Sequence, residues 1–519
     1  MHLVLTILLA VALDPGLGDF HWKMTTRNAD AQAFFDQGMK YVYAFNHESA
    51  VRSFGEAARL DPNLAMAHWG MALALGPNIN LDVDPDREKQ AYEAVQTALK
   101  LAPQASAKER DLIAALAKRY SIAPDADLRK LSVDYSAAMG ALSKKYPDDL
   151  EVMTLYAESV MDLRPWKFWS HDGKPNEGTE EIVRTLESVL RRNPRHLGAN
   201  HYYVHAVEAS RHPERATASA ERLRTLAPAA GHLVHMPAHI FHRTGNYAGA
   251  AEANEHGARA DRAYIAAYGG HGIYPMMYYN HNLQFGLVSH AMIGRWAEAK
   301  RMADEVSANA AMAAKEMPPL ESATTSSLLL HARFGRWKDV LAAPKAAAGP
   351  LGAVLEHYAR GSAHAVFGNV AGAESEQRAL ETARKDVPDD NAMFQNSEQR
   401  IAEVASTLLG ARVAEARGDR TAAIAGYEKA VAQQDAMNYN EPPDWYYPIR
   451  ETLGAALLRA GRPADAERAF REDLRRNPRN PRSLYGLAAA LRAQKKDGAA
   501  VLAQFKKGWK GGALRAEGY

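Results

Sequence analysis

His201 and His205 lie four residues apart in Asn200-His201-Tyr202-Tyr203-Val204-His205-Ala206-Val207-Glu208. His235 and His239 lie four apart in Gly231-His232-Leu233-Val234-His235-Met236-Pro237-Ala238-His239-Ile240-Phe241-His242. That spacing puts both rings of a pair on one helical face. The two pairs are offset by 34 residues, and Glu208 and His242 share the offset. Imidazole binds zinc, copper, nickel and iron, and only in its neutral form. Two matched pairs with a carboxylate one turn away suit a divalent transition metal, copper or zinc. Binding should then weaken below about pH 6. Two other readings stay open: an anion- or peptide-binding groove, and structural hydrogen bonding. Glu208 can serve as ligand, orienting group or general base.

The elements that place these rings follow a repeat. Between residues 34 and 62 stand Gly38, Tyr41, Ala50, Phe54, Ala57 and Pro62. They match the small and aromatic positions of the tetratricopeptide pattern, a helical hairpin of about 34 residues. The hairpin turn returns as Gly245-Asn246-Tyr247, Gly294-Arg295-Trp296, Gly335-Arg336-Trp337, Gly368-Asn369-Val370, Gly418-Asp419-Arg420 and Gly461-Arg462-Pro463. Ala250, Ala299, Ala373, Ala423 and Ala466 follow five residues after their glycines. Pro62, Pro103, Pro147, Pro194, Pro228 and Pro478 stand where second helices should close. The expected fold is all-α, an α-solenoid of about ten TPR-like helical hairpins. Its groove would by default hold a peptide or protein partner. The expected division is a leader at 1–18, an N-terminal array at 19–300 with the histidine-lined groove, and a C-terminal array at 301–519.

Counted from the closing prolines, the paired histidines take the fifth and ninth positions of their repeats, which face the groove of a TPR solenoid. Glu208 and His242 take the twelfth. Glu158 falls at the ninth position of the preceding repeat, and His281 and Gln284 at the second and fifth of the following one. His201, His205, His235 and His239 are therefore the principal candidate ligands, with Glu208, Glu158, His242 and His281 as further ligands or orienting groups. Pro237 fits only if its helix begins near His235. Two aromatic insertions, residues 164–175 and 264–279, interrupt the repeats and read as lids or as local packing. Trp445-Tyr446-Tyr447, after Glu441-Pro442-Pro443, reads as a groove rim or as buried packing.

Composition narrows the classes further. The 519 residues carry 63 Lys+Arg against 61 Asp+Glu, a formal net charge of +2, so no basic stripe or tail points to nucleic acid. Hydrophobic residues at 47% and charged residues at 24% are ordinary for a globular chain. Cysteine is absent, which excludes disulfides, thiolate metal sites and cysteine nucleophiles, and leaves the 20 histidines as the main lead. The phosphate-cradling loop, the dinucleotide glycine motif, the nucleophile elbow and HExxH are all missing. No reaction can be read from the spacing. The apolar run at residues 3–13 is too short to span a bilayer and fits the core of a signal peptide, with Ala10-Val11-Ala12 for cleavage. A basic segment before it is missing, so a docked apolar arm is the alternative. The expected location is exported, in the periplasm, with no membrane span.

The first three hundred residues resemble a bacterial TPR-repeat family of uncharacterised function with HxxxH motifs in consecutive repeats. The resemblance rests on Phe35-Asp36-Gln37-Gly38, Phe45-Asn46-His47-Glu48, His68-Trp69-Gly70-Met71-Ala72-Leu73-Ala74-Leu75-Gly76-Pro77-Asn78, Leu163-Arg164-Pro165-Trp166 and the two histidine blocks. It implies the repeat fold and little chemistry. Relatives carry a further histidine near Gln284, a departure that leaves His281 as the contributor from the third helix.

Overall fold

The computed structural model describes residues 12–313, 318–345, 349–389 and 395–514. Residues 3–11 of the apolar run lie outside them. Among the described residues the regular elements are helices, and β-pairing is limited to two isolated bridges, Asn78–Leu81 and Trp169–Pro175. Within each unit successive helices pack on one another as hairpins, as the repeat pattern requires. No helix among the described residues is long and apolar enough to cross a membrane.

The hairpins close for the reasons the sequence supplies. Gly245, Gly294, Gly335, Gly368, Gly418 and Gly461 all have positive φ, between 65° and 84°, a region costly for residues with a Cβ. The alanines five residues later are 0–2% exposed, so they sit where two helices touch. Helices end at Leu60, Lys145, Arg192, Leu226 and Arg476, each two residues before its closing proline.

The chain divides into two compact units, Met1–Ile240 with His256–Pro275 and Phe241–Glu255 with Met276–Tyr519. This partition differs from a division at residue 300, because the helix Tyr247–Tyr268 gives its first part to one unit and the rest to the other. In the first unit, α1 (Ala29–Tyr43) and α2 (His47–Leu60) form the opening hairpin. Asn28 caps α1 by accepting from Asp30 N and Ala31 N, and Asn46 caps α2 by accepting from Ser49 N. The Phe54 ring wedges between Gly38 and Gly70, where an added Cβ would lie 2.5 Å from it on either side. In the second unit Phe470 is held the same way by Gly454 and Gly486, at 2.4 and 2.2 Å. The same wedge, with glycines sixteen residues before and after the ring, thus recurs in both units.

This geometry sets opposite outcomes for two glycine replacements in the opening hairpin. Gly38→Ala should lower stability by about 1–3 kcal/mol, because the methyl meets the Phe54 ring. Gly55 lies inside α2 with open space around a new Cβ. Gly55→Ala should raise stability by about 0.5–1 kcal/mol. Chemical-denaturation midpoints of the two variants check both signs.

Candidate metal centre

The four principal candidates and Glu208 sit on three short helices: α3 (Leu197–Glu208), α4 (Gly231–His235) and α5 (Pro237–Arg243). Pro237 opens α5 at the position where its missing N–H costs nothing. The break tightens the backbone locally, with His239 N bonding Met236 O three residues back. The His235–His239 spacing is therefore kept across a restart of the helix, not along one unbroken rod. A third ring, His232, stands beside His235 on α4.

Five imidazoles form a closed circuit. Ring centres are 4.9 Å apart for His201–His205, 5.3 Å for His205–His239 and 4.7 Å for His239–His235. They are 5.3 Å apart for His235–His232 and 4.9 Å for His232–His201. All five rings, with Glu208, are 0–3% exposed. The rings were expected to face the groove, with the two insertions as lids or local packing. They are buried, because aromatic side chains cover them. Phe45 packs on His201 at 4.6 Å and stacks on His232 at 5.5 Å and His205 at 5.9 Å. Trp166, from the first insertion, stands edge-on to His205 at 5.3 Å. Tyr274, from the second, accepts from His232 N (3.1 Å) and donates to Asp261 (2.8 Å). Both insertions thus act as cover.

Phe45 occupies the turn position that glycine fills in the later hairpins, at φ 54°. A left-handed conformation costs a residue with a Cβ about 1–2 kcal/mol. The strain keeps a ring over the imidazoles that glycine would not supply.

Hydrogen bonds at Nδ1 fix which way three of the rings face. His201 Nδ1 lies 2.7 Å from the Tyr43 carbonyl, which can only accept, so Nδ1 carries the proton. Gly198 makes that contact reachable, since a Cβ there would sit 2.5 Å from the Tyr43 ring. Glu208 accepts from Nδ1 of both His205 and His239, each at 2.7 Å. His201, His205 and His239 therefore all present Nε2 as a lone pair. His205 Nε2 is buried without a hydrogen-bond partner among the described residues. His201 Nε2 lies 3.1 Å from His232 Nε2, and His239 Nε2 lies 3.0 Å from His235 Nε2. These separations approach the roughly 3.3 Å edge of a tetrahedron with 2.0–2.1 Å metal–nitrogen bonds. One ligand atom each from His201, His205 and His232 lie within 4.8 Å of one another.

Charge follows the same logic. Burial pushes His201 well below the ordinary imidazole value, and the neighbouring His205 adds to the shift. Burial also lowers His205, against the opposing pull of Glu208. Burial would raise the Glu208 carboxyl, but His239 and the two imidazole hydrogen bonds outweigh it and hold the group well below its usual range. Glu208 is thus a buried carboxylate beside His201 and His205, two rings that burial keeps in the neutral state metal binding needs.

The remaining candidates divide between the two units. Glu158 belongs to a separate buried group in the first unit, with Asp162 and Arg119. Burial and the adjacent Asp162 push its carboxyl well above the usual range. His242 and His281 belong to the second unit, where both rings stand edge-on to Phe285, at 5.6 and 5.9 Å. His232, Tyr43 and Phe45 were not singled out by the sequence. Only His232 left a signal, three residues before His235 on the same helical face.

No family model matches the chain, and no curated protein matches it. Among solved structures, the human IFIT1 dimer with m7Gppp-AAAA is similar over 93% of this chain and 90% of its own, at 13% identity and a TM-score of 0.31. The APC/C hetero-tetramer Cut9–Hcn1 is similar over 92% and 73%, at 14% identity and a TM-score of 0.32. Yeast Tom70 is similar over 93% of each chain, at 11% identity and a TM-score of 0.28. Likenesses this low carry nothing about function.

The buried neutral rings give a pH signature without any metal. Burial also pushes His47 down, to about 4. The unfolded chain takes up protons near the ordinary imidazole value of about 6.5, whereas folded His47, His201 and His205 resist protonation. Their contribution is complete above about pH 6.5 and is lost as pH falls below it. The denaturation midpoint of metal-free protein should hold level from pH 8 to 7 and decline from pH 6.5 to 5. A midpoint that stays constant or rises over that lower range would contradict the assignment.

Proposed function

We propose that this protein binds a divalent transition metal, zinc or copper, within the imidazole circuit of its first unit. The observation that carries the reading is the shared orientation of three Nε2 lone pairs. Tyr43 holds one Nδ1–H, and Glu208 holds the other two. Ligating histidines commonly donate their second ring nitrogen in this way, to a carbonyl or a carboxylate. His201, His205 and His239 would be the principal ligands. His232 and His235 would join after moving their own ring proton to Nδ1, which frees Nε2.

A metal held here would be closed off from bulk water by Phe45 and Trp166. Closed coordination suits tight retention of an ion more than turnover, which needs an open position. We assign no reaction. Export, inferred from the apolar run at residues 3–13, belongs to the same proposal. It would expose the protein to metal outside the cytoplasm.

Chelator-treated protein should take up zinc or copper to about one equivalent per chain, read by elemental analysis after dialysis. Glu208→Gln leaves an amide that cannot accept from both rings. It should weaken binding by about 10–100-fold. Protein that emerges metal-free from incubation with each ion would refute the proposal.

A further inference from the structure

The second unit contains a small cavity whose walls have more hydrogen-bond donors and positive charge than the protein itself satisfies. It encloses about 60 Å³ and is lined by Arg333, Arg412, Arg482, Tyr358, Trp445 and Tyr446, among others. Two of the three guanidinium groups have protein partners. Arg333 grips Glu451 through both terminal nitrogens, and Arg482 donates to the Arg333 carbonyl at 3.0 Å.

Arg412 differs. It is 7% exposed, and Arg412 Nε is buried without a hydrogen-bond partner. Among the described residues, no carboxylate forms an ion pair with it. Its charge lies over the Trp337 ring, 5.5 Å from the ring centre. The acids around it are hydrogen-bonded to other groups, and Glu415 attracts Arg412 across space without forming an ion pair. Glu415 accepts from Arg459 Nε at 2.7 Å and from the Tyr427 hydroxyl at 2.9 Å. Asp444, on the cavity wall, accepts from Asn396 and Asn440, each at 2.7 Å. Burial also pushes the Asp444 carboxyl up, towards its neutral form. A buried charge without a partner costs several kcal/mol unless something else compensates it.

Two more donors make the same demand. Trp445 Nε1 and the Tyr446 hydroxyl are buried at this cavity without hydrogen-bond partners. An indole N–H can only donate. Buried polar groups in folded proteins are almost always satisfied. An occupant that answers all three groups supplies negative charge and acceptor atoms. Leu329, Leu355 and Trp337 add apolar wall. That wall favours an anion with a hydrocarbon end over a fully hydrated inorganic ion. A water needs roughly 10–15 Å³ of such space, so the volume suits about four to six non-hydrogen atoms.

We propose that the cavity beneath Arg412 is a binding site for a short-chain monocarboxylate, with the carboxylate on Arg412, Trp445 and Tyr446 and the hydrocarbon end against Leu329 and Leu355. The site lies wholly in the second unit and is independent of the imidazole circuit. The carboxylate matches the fork of a guanidinium, and charge-assisted bonds of this kind are among the strongest a protein makes. The Trp445-Tyr446-Tyr447 run is thus both buried packing and the donor side of a pocket.

Butyrate binding to the full chain, followed by saturation-transfer NMR and by the thermal unfolding midpoint, tests the proposal. Butyrate should bind and raise the midpoint, and butyramide, which lacks the charge, should do neither. Arg412→Gln should weaken butyrate by about 10–100-fold while keeping the helical circular-dichroism signal. Tyr446→Phe should weaken it by a smaller factor and carries the test if Arg412→Gln fails to fold. Three outcomes would overturn the proposal: no butyrate binding, equal binding of butyramide, or preferential binding of inorganic phosphate.

Discussion

A single buried carboxylate organises the first unit's chemistry. Glu208 is removed from water, which is costly for an ionised group unless it is fully hydrogen-bonded. It is satisfied by two imidazole N–H groups, from His205 on its own helix and His239 on the next repeat. Each bond fixes a tautomer, and each tautomer turns a lone pair inward. Tyr43 does the same for His201 with a backbone carbonyl. Lone pairs gathered in a water-poor interior repel one another unless a donor or a cation lies between them. His232 and His235 can serve as donors, and a metal ion would replace them.

The fold serves this constraint at some cost to itself. Phe45 accepts a left-handed backbone where later hairpins use glycine, and its ring seals the imidazoles. Gly198 gives up a side chain so that Tyr43 can approach α3. Pro237 breaks a helix that the repeat pattern would leave whole, and His235 and His239 stand on either side of the break. Such departures from the repeat mark the places where packing alone would have chosen other residues.

Much of the hairpin architecture was legible because it depends on local rules. The turn glycines, small alanines and closing prolines each answer a steric need visible in a few neighbouring residues. The 34-residue offset likewise located His201, His205, His235 and His239. What escaped depended on the third dimension. Periodicity pairs His201 with His235, but His201 Nε2 meets His232 Nε2, 3.1 Å away. Groove position suggested Glu158 as a ligand, yet Arg119 and Asp162 hold it in a separate buried group. The insertions that carry Trp166 and Tyr274 were legible as lids, but the cover from Phe45, distant in sequence, was hidden.

X-ray absorption fine structure of the zinc-loaded protein tests the central claim most directly, because it counts and identifies the atoms around the ion. The account predicts a first shell with at least three imidazole nitrogens at about 2.0–2.1 Å, together with the outer-shell scattering of rigid rings. A shell of oxygen atoms alone, or one with a single imidazole, would contradict it.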